Sequence, residues 1–136
     1  MPTTRVNPSG LYSSPQRISQ VVLAEPAGLA FVAGQVDRDH TGEIQGRTHL
    51  EQTAGIARNI AIVLEHLGVT ADAILSETVY LVDRTPDLSR EILRVLREAG
   101  GAPPASTCIG VESLYRPEAL IEVTVTIALG ERQGER

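Results

Sequence analysis

The clearest pattern in the chain is an alternation of apolar and polar residues near its C-terminal end. Within Ala119–Leu129, aliphatic residues recur at every second position from Ile121 to Leu129, and Glu122, Thr124, Thr126 and Ala128 separate them. A period of two is typical of a strand with one buried face. Shorter apolar runs predict four further strands, over Ser19–Glu25, Leu29–Gln35, Ala73–Val82 and Ser106–Ser113.

Helical periodicity predicts two helices. The first runs from Thr48 to Leu67, with Thr48 and Glu51 as a capping box and Gly68 as the C-terminal cap. Its predicted apolar face comprises Leu50, Ala54, Ala57, Ile60, Ala61, Leu64 and Leu67. The second begins at Thr85 and Pro86 and ends before two consecutive glycines. Its predicted buried face comprises Leu88, Ile92, Leu93 and Leu96.

The element order ββ-α-β-α-ββ predicts an α+β fold in which two amphipathic helices cover one face of a mixed sheet. A chain of 136 residues suits a single domain. We expect residues 1–16 to form an irregular arm and residues 130–136 a flexible tail. The polar face of the last strand is either solvated or packed against another subunit.

Composition narrows the possible functions. All 12 basic residues are Arg, which excludes a Schiff-base lysine and a phosphate-binding loop lysine. The net charge of −5 disfavours nucleic acid as a partner. The single cysteine and the spacing of the three histidines predict neither a disulfide nor a metal site. The sequence has no apolar run long enough to cross a bilayer, and a cytoplasmic protein without a membrane partner is the default expectation.

A few residues are candidates for chemistry. Glu122 interrupts a strand lined with Thr and is either a solvent-facing residue or a carboxylate in a cleft, with a raised pKa, that activates a water. Cys108 lies in an apolar segment and is either a small buried hydrophobe or a reactive thiolate. Arg17, Arg84 and Arg116 are either surface charges or clamps for a substrate carboxylate, and Tyr115 adds an aromatic ring beside Arg116.

An ordered set of short segments resembles the Rid family of reactive intermediate deaminases, also called YjgF-type proteins. The resemblance spans about residues 6 to 129. It rests on Asn7-Pro8-Ser9-Gly10-Leu11, Ser19-Gln20, Phe31-Val32-Ala33-Gly34-Gln35, Gln52-Thr53 with Asn59, Thr78-Val79-Tyr80-Leu81-Val82-Asp83, Pro104-Ala105-Ser106-Thr107-Cys108 and Ile121-Glu122-Val123.

The resemblance implies a chorismate-mutase-like fold, a homotrimer and ligand clefts between neighbouring subunits. Deaminases of this family hydrolyse 2-aminoacrylate enamines and 2-imino acids to 2-oxo acids and ammonia, and they use no metal and no cofactor. It implies that Glu122 orients the attacking water. It also implies that backbone groups near Gly34, Gln35 and Cys108 hold the substrate.

The chain departs from the family pattern at three positions where the family's residues contact or flank the ligand. Ser106 stands where the family has an arginine that binds the substrate carboxylate, Ile18 replaces an aromatic residue, and Ala33 replaces a serine. Losing that arginine should weaken carboxylate binding by about 1.5–3 kcal/mol. The candidate binding residues are Ser106, Thr107, Cys108, Gly34, Gln35, Ile18, Arg17, Ser89, Tyr115 and Arg116.

Two functions follow from these residues. The first is a small-molecule protein that hydrolyses or otherwise processes an imine or enamine intermediate, with Glu122 as the catalytic residue. The alternative is a non-catalytic trimer that binds a metabolite or a protein and has lost deaminase activity. A ribonuclease fits poorly, because the chain is acidic and poor in aromatic residues.

Overall fold

The computed structural model describes residues 3–130, which form one six-stranded sheet with two helices on one face. The main elements are β1 (Thr4–Val6), β2 (Val21–Ala24), β3 (Leu29–Val32), α1 (His49–Leu67), β4 (Ile74–Val82), α2 (Pro86–Leu96), β5 (Ala105–Val111) and β6 (Ile121–Ala128). Three single 3₁₀ turns cover Glu25–Ala27, Ala71–Ala73 and Arg97–Ala99. The strand order is β1-β2-β3-β6-β4-β5. Strands β4 and β5 run parallel and the other neighbours antiparallel, so the predicted mixed sheet is confirmed.

Strand β6 lies in the middle of the sheet, between β3 and β4. Its burial alternates as the sequence predicts, with Ile121, Val123, Val125 and Ile127 in the core. These side chains meet both helices in an aliphatic core that includes Ile56 and Ile92. The intervening residues, Glu122 among them, therefore lie on the face of the sheet that the helices leave uncovered.

The predicted ends of α1 are confirmed. The Thr48 hydroxyl accepts a hydrogen bond from the Glu51 amide at 3.1 Å, and this bond satisfies one of the free donors of the first turn. At the other end Gly68 adopts a left-handed conformation with φ of 70°, and its amide closes the helix on the Glu65 carbonyl.

The predicted buried face of α1 is confirmed at Ile60, Leu64 and Leu67 and is wrong at three other positions. Leu50 is 39% exposed, and Ala54 and Ala61 are also exposed. The buried residues are Gln52, Thr53, Gly55, Ile56, Asn59, Ile60, Val63, Leu64 and Leu67. Two of these carry amide side chains, which an apolar pattern does not count, but burial of an amide is tolerated where its hydrogen bonds are made.

The amide of Gln52 makes those bonds with three backbone groups. Its nitrogen donates to the carbonyls of Gly46 at 3.0 Å and Glu118 at 2.9 Å, and its oxygen accepts from the Leu120 amide at 2.8 Å. One side chain thus ties α1 to the loop before it and to the approach to β6. The buried side of the helix follows these polar anchors rather than the exposed alanines.

The N-terminal end of the chain is more ordered than its sequence pattern predicts. Residues 4–6, predicted to belong to an irregular arm, form β1, because their backbone pairs antiparallel with β2 from Thr4↔Leu23 to Val6↔Val21. Of the predicted tail, 130–136, all but Gly130 lies outside the described residues.

Helix α2 starts at Pro86, after the N-terminal cap Thr85, and Ile92 and Leu96 are its most deeply buried residues. Among residues 3–130, no helix is long and apolar enough to cross a membrane.

We expect Gln52→Ala to lower the free energy of unfolding by about 2–4 kcal/mol, because three backbone groups lose their partner together. Urea titration followed by circular dichroism measures the change. Glu65→Ala, on the exposed side of the same helix, is the control and should stay within about 0.5 kcal/mol of the wild type. Equal effects of the two substitutions would show that the Gln52 bonds contribute little.

Candidate functional site

A cleft of about 390 Å³ opens beside Glu122, where the end of β3 meets the segment between β1 and β2. Its walls combine two arginines, one carboxylate, two tyrosines and small residues. The lining comprises Tyr12, Ser14, Arg17, Ile18, Ala33, Gly34, Arg38, Tyr115 and Glu122. Five of the residues singled out from the sequence, Glu122, Gly34, Ile18, Arg17 and Tyr115, therefore meet in one place.

Glu122 is the acid of this cleft. It lies on β6 opposite Tyr80 of β4 and is half-buried on the uncovered face of the sheet. Burial raises the pKa of Glu122 above its ordinary value, and the positive charge of Arg38 lowers it in part. A carboxylate with a raised pKa takes up a proton more readily than one in water, as a general base must.

Gly34 makes room for that carboxylate. A Cβ at this position would overlap the Glu122 side chain, so a residue other than glycine would displace it. The backbone amide and carbonyl of Gly34 have no hydrogen-bond partner among residues 3–130. Both groups are thus available to a ligand that reaches Glu122.

Gln35 has a different setting from the one expected of a ligand-binding residue. It is buried, and its side-chain nitrogen donates to Gln20 Oε1 at 2.7 Å and to the Ala33 carbonyl at 3.0 Å. The Gln20 nitrogen in turn donates to the Tyr12 carbonyl at 3.0 Å. Gln35 also lines a small recess of about 30 Å³ behind the cleft, so it shapes the inner wall while its amide holds the surrounding backbone.

Sequence reasoning missed three residues of the cleft, Tyr12, Ser14 and Arg38. The Arg38 guanidinium carbon lies 4.2 Å from the centre of the Tyr12 ring. Both residues line the cleft and the recess behind it. The signals available were weak: Tyr12 is one of only three tyrosines, and Arg38 follows the Gly34-Gln35 pair by three residues. Tyr12 thus contributes an aromatic ring to the cleft that Ile18 also lines.

The candidates on β5 do not line the cleft within one subunit. The Ser106 hydroxyl donates to Glu77 Oε2 at 2.6 Å, and the buried Glu77 forms a two-pronged ion pair with Arg97. Ser106 therefore faces the helices, on the side of the sheet opposite Glu122. Thr107, its neighbour along the strand, is exposed and pairs with Thr78 of β4.

Cys108 and Ser89 contact each other between β5 and α2. Cys108 is half-buried against the core, and its Sγ lies 3.5 Å from Ser89 Oγ. The same Ser89 oxygen donates to the Thr85 carbonyl and accepts from Arg84, each at 3.1 Å. Ser89 thus belongs to the hydrogen-bond network of the first turn of α2. Neither Ser89 nor Cys108 lines the cleft.

Arg116 supports the cleft from outside it. Its guanidinium lies 3.4 Å from Glu118 Oε1, and it donates to the Gly42 carbonyl, also at 3.4 Å. Tyr115 beside it lines the cleft and is 83% exposed. Among residues 3–130, His, Cys, Asp and Glu side chains nowhere gather in threes as a metal ion would require.

Comparison with known proteins gives consistent matches. The family model described as endoribonuclease L-PSP matches residues 11–129. RutC family protein SSO3206 of Saccharolobus solfataricus is 32% identical over 119 residues, which cover 87% of this chain and 86% of that protein. RutC family protein PYRAB12510 of Pyrococcus abyssi is 31% identical over 117 residues, which cover 85% of this chain and 84% of the other.

A solved structure extends these matches to the fold. YyfB of Yersinia pestis is described as a protein of unknown function of the conserved Rid protein family. Its structure is 31% identical in sequence and superimposes with a TM-score of 0.69. The match covers 95% of this chain and 100% of YyfB. The predicted chorismate-mutase-like α+β fold is confirmed by such likenesses and by the sheet itself.

We expect Glu122→Gln to be more stable than the wild type near neutral pH, and the advantage to shrink as the pH falls. The folded state of the wild type holds the Glu122 proton more tightly than the unfolded state, because burial raises the pKa. Stability from this group is present below the unfolded-state pKa and is lost as the pH rises through the folded-state pKa. Unfolding free energies between about pH 4 and pH 7 measure the difference.

The comparison isolates Glu122. Asp37, whose pKa burial also raises, titrates in both proteins and cancels in their difference. A difference between the two proteins that is independent of pH would contradict the expected raised pKa of Glu122.

Proposed function

The chain belongs to the Rid family, whose sequence model is described as endoribonuclease L-PSP, and from that premise we propose that it hydrolyses a small imine or enamine in the cleft beside Glu122. Family membership supports a role in processing small molecules. The observation that carries the finer proposal is the half-buried Glu122 carboxylate, with its raised pKa, facing a cleft beside a glycine whose backbone is free.

The proposed reaction adds water across a C=N bond. The Glu122 carboxylate accepts a proton from a water molecule as its oxygen attacks the carbon of the protonated imine. The resulting carbinolamine holds both the hydroxyl and the amine on one carbon. Proton return from Glu122 to the nitrogen lets ammonia leave as the C–N bond breaks, and loss of the hydroxyl proton yields the oxo product. An enamine enters the same route after protonation on its β-carbon.

The lining around Glu122 suits this sequence. The free amide of Gly34 is a donor for a polar atom of the substrate, and its free carbonyl is an acceptor for the imine N–H. Ile18 and Ala33 form an apolar wall of the cleft. This wall limits the contact of the Glu122 carboxylate with water and so helps to keep the pKa of Glu122 raised. These groups require neither a metal nor a cofactor.

RNA cleavage, which the family's description names, fits the charge of this chain poorly. The chain carries a net charge of −5, and phosphate binding would need an excess of positive charge on the surface. The cleft volume of about 390 Å³ suits a small molecule.

One observation favours the alternative of a binding protein without catalysis. Ser106, which the family resemblance aligns with a carboxylate-binding arginine, already donates to Glu77 inside its own chain. A chain that lost that anchor and gained no other would hold a carboxylate poorly. Absence of turnover by a protein that still binds a small molecule would establish this alternative.

We also propose that the uncovered face of the sheet packs in a homotrimer. Phe31 is 48% exposed there, opposite Thr126 of β6, and the same face of the sheet carries Thr124 and, further along, Tyr80. Ile109, which is 42% exposed and pairs with Tyr80, adds a second large apolar side chain to this open face, and exposed apolar area of this kind supports burial by a partner. In such an assembly the exposed β5 of one subunit, with Thr107, is available to complete the cleft of the next.

We expect Glu122→Gln to lower the hydrolysis of 2-iminobutanoate, generated in situ by an amino acid oxidase, about 10²-fold or more. Glutamine keeps the size and the hydrogen bonds of the side chain but does not take the proton. The rate of 2-oxobutanoate formation above the spontaneous rate measures the effect. Glu65→Gln, an exposed acid on α1, is the control and should match the wild type. Full activity in Glu122→Gln would remove Glu122 from the mechanism.

We expect Phe31→Glu to yield monomers where the wild type forms trimers at micromolar concentration, because the substitution buries three carboxylates in the proposed interface. Light scattering after size exclusion gives the mass of each species. Leu50→Glu, a similarly exposed apolar residue on α1, is the control and should leave the trimer intact. A wild-type monomer would overturn the proposed assembly.

A further inference from the structure

We propose that Arg38, held in place by Tyr12, binds a negatively charged group of the ligand in the cleft beside Glu122. The inference rests on the proposed function in one respect, that this cleft is where the ligand lies. It assigns the anion-binding role to a residue of the loop after β3, on the same subunit as Glu122.

The backbone of Arg38 is fixed on both sides. Asn59 of α1 donates from its side chain to the carbonyls of Val36 at 3.1 Å and Arg38 at 3.2 Å. The intervening Asp37 is buried, and its carboxylate accepts from the Gly46 amide at 2.7 Å. The loop thus sends Asp37 inward, and Arg38 lines the cleft.

The Arg38 side chain is oriented by an aromatic platform. Its guanidinium carbon lies 4.2 Å from the centre of the Tyr12 ring. The ring also packs closely on Gly42, where an added Cβ would lie 2.9 Å from Tyr12 Cε1. Arg116 donates to the Gly42 carbonyl and so braces the turn beneath the ring. A guanidinium stacked on a ring keeps its N–H edge free for a planar anion such as a carboxylate.

The charge of Arg38 is not neutralised by an ion pair. Among residues 3–130, Arg38 and Arg17 make no salt bridge, whereas Arg116 and Arg97 each pair with acids. The cleft lining therefore carries two arginines against the single carboxylate of Glu122, in a chain whose net charge is −5. A local excess of positive charge in an acidic protein favours a negatively charged ligand.

Arg38 is better placed than Arg17 to bind that charge. Arg17 is exposed and lines only the outer cleft, while Arg38 is half-buried and also lines the recess behind it. Arg38 is moreover the charge that acts on Glu122. An anion on Arg38 would consequently lie close to the group that holds the water.

The experiment measures binding of two probes by calorimetry, 2-oxobutanoate and its uncharged analogue 2-oxobutanamide. The wild type should bind the anion more tightly than the amide. Arg38→Gln should weaken binding of the anion about tenfold or more and leave binding of the amide unchanged. Arg47→Gln is the control and should bind both probes as the wild type does, since Arg47 is an exposed arginine of the following loop that pairs with no acid between residues 3 and 130.

Tyr12 is tested as a positioning residue. Tyr12→Phe keeps the ring and should retain the affinity for 2-oxobutanoate, whereas Tyr12→Leu should lose most of it. A second readout does not depend on turnover: the Glu122 pKa, followed by carbon NMR, should rise in Arg38→Gln because a nearby positive charge is removed. Addition of 2-oxobutanoate should raise the Glu122 pKa in the wild type and not in Arg38→Gln.

Several results would overturn the proposal. These are an equal loss of both probes in Arg38→Gln, no loss of the anion, loss of the anion in Arg17→Gln alone, and a wild type that does not prefer the anion. The proposed function fails separately. If 2-iminobutanoate is not hydrolysed but anion binding depends on Arg38, only the catalytic proposal is lost. If Arg38→Gln hydrolyses it with an unchanged kcat/KM, only the role of Arg38 is lost.

Discussion

The backbone pairing of Gln35 with Val123 sets the position of Gly34, and of the loop that follows it, relative to Glu122. Beyond the end of β3, the Gln35 amide donates to the Val123 carbonyl at 2.7 Å and the Val123 amide donates back at 2.9 Å. These two bonds place Gly34 directly over Glu122, the residue before Val123. They also fix the start of the loop that carries Arg38. This pair of backbone hydrogen bonds thus brings the Glu122 carboxylate close to the Gly34 peptide group and to Arg38, although the two segments lie nearly ninety residues apart along the chain.

The Gly34 contact turns this pairing into a strict constraint. The backbone of one strand end passes so close to β6 that a side chain at position 34 and the Glu122 carboxylate exclude each other. Because the buried Gln35 amide bonds to Gln20 and to Ala33, the segment has little freedom to move away. The half-buried state of Glu122, and with it the raised pKa, follows from that close approach.

Local signals allowed much of the fold to be predicted from the sequence. The two caps of α1, Thr48 and Gly68, and the alternation of β6 each depend on only a few adjacent residues. The structure confirms all three. The buried face of α1 was predicted only in part, because Gln52 is polar and is buried only in the company of distant backbone groups. Strand β1 was missed for the same reason, since its three residues are ordered by pairing with β2 rather than by their own pattern.

The candidate site was predictable only where the family resemblance or an anomalous residue marked it. Glu122 stands out as a charge within an apolar and Thr-lined strand, and Gly34 belongs to a recognised segment. Arg38 and Tyr12 carry no such mark, because their importance comes from stacking across 26 positions of sequence. No spacing rule connects them, and only the folded chain brings them into contact.

Glu77 and Glu122 lie on opposite faces of the sheet, and positive charge balances each of them in a different way. Glu77 is buried and is satisfied within its own subunit by Arg97 and by the Ser106 hydroxyl. Glu122 has no ion pair among the described residues, and Arg38 supplies the positive charge nearby. Arg38, on the loop after Gly34, is thus the arginine that acts on Glu122, whereas Arg97 on the opposite face is paired with Glu77.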